Sequence, residues 1–198
     1  AISDTAENVA AAHGFTTAEQ HEIVLRREEQ YRAAVADDSA FLRRFMTLPF
    51  DVPSANFRKV QETLAGDEGI NTSTADGLAR LKPVKPGGTV TFGAQTHPAD
   101  GNAAILVATP ERAAELSSQP TIRVRLLGFG QARVPLARMP EATVPAARRA
   151  LERAGLAIRD IDAFKTHNPF ALNDLVFSRE MGVDVAKMNN YGSSLVWG

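Results

Sequence analysis

Apolar positions recur at helical spacing most clearly over residues 143–154, where Val144, Ala147, Ala150, Leu151 and Ala154 follow one another with Pro145 in the first turn. Thr143 is the expected N-cap and Gly155 the stop. A longer helix is predicted over 16–37: Thr16 and Glu19 stand at capping-box spacing, and Ile23, Val24, Leu25, Tyr31 and Val35 supply apolar contacts. Its run of arginine and glutamate is expected to face water. Shorter helices are predicted over 74–81, ended by Pro83, and over 169–180, with Phe170, Leu175 and Val176 on the apolar side. Between them the period changes. Pro86-Gly87-Gly88 turns the chain into the alternating run Thr89-Val90-Thr91-Phe92, and strands are predicted over 103–109, 121–134 and 163–166. Residues 47–73 keep neither period and read as an irregular excursion held by Phe50, Val52, Phe57, Val60 and Leu64. Strands alternating with helices imply an α/β layered domain.

Composition adds limits. The chain has 198 residues, 44% hydrophobic and 23% charged, which is ordinary for a globular protein. Its 22 basic and 23 acidic residues leave a net charge of -1, so neither nucleic acid nor an anionic membrane is an expected partner. The longest aliphatic run, residues 103–108, is far shorter than the ~20 residues of a membrane-spanning helix. The opening Ala1-Ile2-Ser3-Asp4 lacks a signal layout, and a cytoplasmic location is the expectation. There are no cysteines, which excludes disulfides and thiolate chemistry within these residues.

Few residues carry chemistry on spacing alone. Gly128-Phe129-Gly130 lacks the third glycine of a dinucleotide loop and reads as a strand kink. Asp160 and Asp162 have no accompanying histidine or acidic cluster, so they read as turn and capping residues and no metal site is expected. His13 and His21 lie by the charged helix, where solvated side chains are the ordinary outcome. His97 sits in the polar loop Gln95-Thr96-His97-Pro98, where a ligand contact and a structural role are both open. His167, in Thr166-His167-Asn168-Pro169, joins a short strand to a helix, the edge at which open α/β sheets place ligands. There it could donate a hydrogen bond to a developing oxyanion, or hold a water that does, or simply cap the helix. The turn Asn189-Asn190-Tyr191-Gly192-Ser193-Ser194 offers backbone amides to a bound carbonyl, or is a plain loop.

Taken in order, these segments resemble the thiolase superfamily over nearly the whole chain. Asp4-Thr5-Ala6-Glu7-Asn8, then Gln20 and Leu25-Arg26, resemble the opening of the family's loop domain. Asp67-Glu68, Leu78-Ala79-Arg80-Leu81-Lys82-Pro83 and Gly88-Thr89-Val90-Thr91 resemble its later part, and Asp100-Gly101 with Ala103-Ala104 resembles the turn and strand that return to the core. Val144-Pro145-Ala146, Ala150-Leu151, Ala154-Gly155-Leu156 and Asp160-Ile161-Asp162 resemble the C-terminal domain. His167-Asn168-Pro169-Phe170-Ala171 then stands where the family commonly has Asn-Glu-Ala-Phe-Ala.

The resemblance implies a layered α-β-α-β-α fold, with residues 1–102 as the loop-domain region and 103–198 as the end of the N-terminal core plus an incomplete C-terminal domain. It implies that the chain is part of an acyltransferase that makes or cleaves 3-ketoacyl-CoA. His167 and Asn189 would be catalytic, Asn168, Phe170, Gly192 and Ser193 would line the oxyanion site, and Thr96 and His97 would approach the pantetheine of CoA. Asn71 and Gly77 stand where arginine and serine would favour the nucleotide end. CoA would be substrate or product, with no metal or redox cofactor. A homodimer or homotetramer is expected, and a Cys-bearing partner chain if the enzyme is split. In the family the nucleophilic cysteine lies upstream of the matched region and the catalytic histidine follows the glycine corresponding to Gly198, so this chain alone is not expected to turn over. A noncatalytic thiolase-like subunit that binds acyl-CoA or scaffolds a partner is the alternative, and a related condensing synthase is a further one.

Overall fold

A computed structural model describes residues 2–101, 103–119 and 121–198. Helix α1 (Ile2–His13) and helix α2 (Thr17–Ser39) open the chain. In α2 the expected capping box forms: the Thr16 hydroxyl accepts from the Glu19 amide, and the Glu19 carboxylate accepts from the Thr16 amide at 2.7 Å. Helical backbone angles stop at Ala36, and Asp37, Asp38 and Ser39 adopt positive φ. The helix's charged run departs from expectation. Arg27, Glu28 and Gln20 are buried, because this part of α2 lies against the C-terminal half of the chain rather than against water.

Residues 47–73, expected to be irregular, contain an antiparallel hairpin, β1 (Phe50–Pro53) with β2 (Val60–Leu64). Its register runs Phe50↔Leu64, Asp51↔Thr63 and Val52↔Glu62, with a slip before Pro53↔Val60. Phe50, Phe57 and Val60 are exposed, so they do not hold this excursion to the body. The short strands lack alternation because neither face is buried.

Helix α3 (Ala75–Ala79) is capped by the Thr74 hydroxyl, and α4 (Pro110–Leu116) by the Thr109 hydroxyl with proline in the first turn. The expected strand at 89–92 is reduced to an isolated bridge between Pro83 and Thr91, and Phe92–Ala94 winds into a 3-10 turn. Residues 103–109 and 121–134 belong to no ladder among the described residues. Ile105 is 90% and Val124 93% exposed, so their apolar pattern is that of a buried strand while their surroundings here are solvent. The domain boundary expected after residue 102 falls on Asn102, outside the described residues.

The main core joins α1 to the last third of the chain. Ala6, Val9, Ala10 and Phe15 pack with Val90, Val144, Phe170, Leu172, Val176 and Met188. These contacts involve α5 (Thr143–Ala154) and α6 (Ala171–Met181). Gly155 ends α5 at φ 67, as expected of a left-handed stop, whereas Thr143 is the first helical residue rather than the cap. A 3-10 turn, Met139–Ala142, leads into α5, and the Thr143 hydroxyl donates to the Pro140 carbonyl. Gly128-Phe129-Gly130 proves to be a close crossing. A Cβ on Gly130 would strike the Ala146 carbonyl, and one on Gly128 would lie 3.0 Å from the Ala150 carbonyl.

His13 and His21, expected to be solvated, are half-buried and bonded. His13 Nε2 lies 2.9 Å from Glu141 Oε1, and His21 Nε2 lies 2.8 Å from the Thr91 hydroxyl. Desolvation pulls the His21 imidazole below its ordinary pKa. Asp160 takes its expected capping role, accepting from the Ala157 amide at 2.8 Å.

Glu141 ties the 3-10 turn to α1. Hydrogen bonds from Arg138, and then from His13, hold its carboxyl below the usual value against the opposing effect of burial. A carboxyl depressed in the folded state contributes stability above its unfolded pKa and loses it as pH falls through the folded one. The melting temperature of the wild-type protein is therefore expected to drop more steeply than that of Glu141→Gln below pH 4.5, with the gap between them closing. Parallel acid profiles would remove Glu141 from the stability account.

Candidate functional site

Three segments distant in sequence meet at one edge of the core. The first is the loop 95–98. Thr96 donates its amide to the Pro169 carbonyl and its hydroxyl to the Ser194 carbonyl, each at 2.8 Å, while Gln95 bridges to Phe170. His97 follows, half-buried, its carbonyl beside Gly198. These bonds lock the loop against the other two segments.

The second segment is 164–170, extended up to the start of α6. Phe164 forms a parallel bridge with Met188, and the Phe170 amide donates to Asn173 Oδ1 to start the helix. Its side chains alternate. Thr166 and Asn168 point inward, where the Thr166 hydroxyl donates to Asp174 Oδ1 at 2.8 Å and Asn168 Nδ2 donates to Asp174 Oδ2 at 2.7 Å. His167 and Lys165, on the opposite face, are exposed. Phe170 is in the core at 2% exposure, so it supports the site from beneath rather than lining it.

The third segment is the turn 188–194, leading into α7 (Ser194–Trp197), which the Ser193 hydroxyl caps. Asn189 is fully buried at φ 55, and its side chain is committed: Oδ1 accepts from the Thr166 amide, and Nδ2 donates to the Thr166 hydroxyl and to Asp174. Gly192, at φ 97, fits where any Cβ would meet Trp197 and Tyr31. Two of the turn's amides are used internally, Gly192 donating to the Asn189 carbonyl and Asn189 to the Phe164 carbonyl. The turn instead presents carbonyls to a cation. Lys165 Nζ donates to the Asn190 and Gly192 carbonyls at 2.7 and 2.8 Å, and desolvation pulls its ammonium below the ordinary pKa.

His167 opens onto a cavity of about 540 Å³ whose wall includes Met139, Ala142, Thr143, Ala146 and Pro169. The lining is mainly apolar, with the imidazole among the few polar groups, a layout suited to an apolar acyl group next to a reacting carbonyl. Sequence reasoning missed Met139, Lys165, Arg27 and Asp174. Met139 gave no signal because it sits in a turn, and Arg27 was hidden in a run of charges.

Among the described residues no group of histidine, cysteine or acidic side chains is placed to hold a metal, and no helix is long and apolar enough to cross a membrane. Asn71 and Gly77 are exposed and lie outside these three segments.

Comparison with known proteins assigns the family. The thiolase N-terminal domain model matches residues 1–111 and the thiolase C-terminal domain model matches residues 120–198. The chain belongs to the thiolase family. An acetyl-CoA acetyltransferase from Synechocystis is 30% identical over all of this chain and 48% of its own length, and one from Escherichia coli is 33% identical over 98% and 48%. The chain thus spans about half the length of the curated relatives it matches. The crystal structure of the Bacillus anthracis acetyl-CoA acetyltransferase superposes with a TM-score of 0.84 at 28% identity, covering 99% of this chain and 48% of that one. Human mitochondrial 3-ketoacyl-CoA thiolase in complex with CoA superposes with a TM-score of 0.77 at 26% identity, over 98% and 46%. The fold is therefore the α/β thiolase fold, and residues 103–109 and 121–134 are thiolase segments without a ladder here.

Asn189 is the residue through which the turn and the His167 strand hold each other. Asn189→Ala would leave the Thr166 amide without its acceptor and Asp174 without one of its donors, at a cost of about 1–3 kcal/mol. Urea unfolding measures this directly, and a loss below about 0.5 kcal/mol would show that solvent replaces those bonds freely.

Proposed function

We propose that this chain forms part of the acyl-CoA site of a thiolase-type acyltransferase that makes or cleaves 3-ketoacyl-CoA. The observation that carries this reading is the locking of the Thr96–His97 loop onto Pro169 and Ser194, which puts a polar loop next to the cavity that His167 borders. Pantetheine runs past Thr96 and His97, and the acyl end enters the apolar cavity.

The chemistry follows from what a thioester requires. A thiolate attacks the thioester carbon, the carbonyl oxygen gains negative charge, and the CoA thiolate departs, leaving an acyl group on sulfur. In the synthetic direction a second acyl-CoA, deprotonated next to its carbonyl, attacks that acyl group and forms the new carbon–carbon bond. In the degradative direction the thiolate adds to the 3-keto carbon of a 3-ketoacyl-CoA, the carbon–carbon bond breaks with the shorter acyl-CoA leaving as a carbanion that takes up a proton, and the CoA thiol then takes the acyl group from sulfur, freeing the thiolate. Each addition needs a donor aimed at the developing oxyanion, and the His167 imidazole, exposed at the cavity mouth, supplies it directly or through water. Asn168, Gly192, Ser193 and Asn189 act behind it, as the frame that holds its strand and turn. No metal or redox step is needed for this acyl transfer. CoA is substrate or product.

The chain itself contains no cysteine, so the nucleophile in this reading comes from outside these residues. The exposed apolar segments around Ile105 and Val124 support a further contribution of strands from the same source, as does the half-length match to the relatives. A homodimer or homotetramer is part of the proposal. The missing thiol also favours a second reading, a noncatalytic subunit that binds acyl-CoA for a partner. Both readings require CoA binding, and turnover separates them.

In the enzyme that contains this chain, His167→Ala is expected to lower kcat about a hundredfold or more, as for loss of an oxyanion donor worth roughly 3 kcal/mol, with CoA affinity changed less than about threefold. Unchanged turnover would remove His167 from the mechanism, and tight CoA binding without turnover in the wild type would select the noncatalytic subunit.

A further inference from the structure

A fully buried ion pair is not used by the acyl-transfer chemistry. Arg27 and Asp174 are both 0% exposed, with Arg27 Nε donating to Asp174 Oδ2 at 3.0 Å. Every other bond the pair makes leads to the site. Asp174 accepts from Thr166, Asn168 and Asn189, and Arg27 donates to the Val185 and Met188 carbonyls at the foot of the turn and to Gln30, which itself reaches the Met188 carbonyl.

The residues on either side of His167 are thereby bonded to one carboxylate. In extended backbone, anchoring positions 166 and 168 inward fixes position 167 on the opposite face. His167 borders the cavity from that face, with Thr166 also contributing to the lining. Asn168 also accepts from the Ser194 hydroxyl at 2.9 Å, so the same carboxylate sets the distance between the His167 strand and the segment to which the Thr96 loop is tied. A glutamate at 168, as in the common family pattern, would set a second carboxylate against Asp174. The neutral amide there fits a site whose buried anion is already supplied by α6.

We propose that Arg27 and Asp174 are a positioning pair, retained to fix the direction of the His167 imidazole rather than to stabilise the fold. The catalytic consequence rests on the acyl-transfer reading above, but the positioning itself does not. Buried ion pairs add little net stability compared with apolar replacements, while removal of one partner strands the other charge. Asp174→Asn is therefore expected to be less stable than the double variant Arg27→Met, Asp174→Leu, which removes both charges together.

The test follows amide hydrogen exchange by NMR in this 198-residue chain, wild type and double variant. The Thr166 amide donates to Asn189 Oδ1 and the Asn168 amide to the Ser194 hydroxyl, so both report the register of the site. In the double variant they are expected to exchange at least about thirtyfold faster, while Val24 in the middle of α2 changes less than about threefold. Wild-type protection at Thr166 and Asn168, a uniform loss across α2 and α6, or a double variant less stable than Asp174→Asn would each overturn the proposal. In the complete enzyme the double variant is expected to lose kcat about tenfold with KM for acetyl-CoA within about threefold. Freed amides with unchanged kcat would leave the positioning in place and count against the role of His167.

Discussion

A carboxylate and a guanidinium that never meet water set the terms for the C-terminal half of this protein. Burial of Asp174 and Arg27 is costly unless each remaining lone pair and proton finds a partner, and the partners found are the two loops that define the site. Thr166, Asn168 and Asn189 answer the carboxylate; Gln30 and the carbonyls of Val185 and Met188 answer the guanidinium. Because α2 carries one charge and α6 the other, the pair ties both helices to the segments that shape the site. Lys165 extends the same logic outward, holding two carbonyls of a turn whose backbone takes positive φ at Asn189, Tyr191 and Gly192.

The functional consequence is a division of labour along a short extended strand. Inward positions are spent on the buried network, so the outward position, His167, is presented to the cavity without being held by its own bonds. In the proposed acyl transfer, a donor presented in this way faces the space where charge would develop on a thioester oxygen, which is the condition under which an oxyanion contact lowers a barrier. Met139, Ala142 and Ala146 give the same space an apolar wall.

Helices with their own local signals were legible in the sequence. The α2 capping box and the Gly155 stop depend on residues within a turn of one another, and both formed where the spacing predicted. The ordered set of motifs, with His167-Asn168-Pro169-Phe170-Ala171 at its centre, led to the thiolase family and its α/β fold. Residues 103–109 and 121–134 form no ladder among the described residues, because an apolar run reports the demand for a neighbour and not its presence. The buried face of α2 was misread for the complementary reason. Arg27 and Glu28 look like solvent residues until Asp174, on a helix far along the chain, gives Arg27 a partner, and the Ser73 amide does the same for Glu28 at 2.9 Å. The site was half visible: His167 and His97 stood out in polar loops, while nothing in the sequence showed that the Asn189 side chain, expected to be catalytic, is bonded to Thr166 and Asp174.

The most direct test of the central claim is a titration of the isotope-labelled protein with acetyl-CoA, followed by NMR chemical shifts. If the edge between the 95–98 loop and the His167 strand takes an acyl-CoA, the resonances of Thr96, His97, His167 and Asn168 shift together in a saturable manner, and those of the β1–β2 hairpin stay in place. Saturable shifts confined to other surfaces, with His167 unmoved, would contradict the assignment of this edge as the acyl-CoA site.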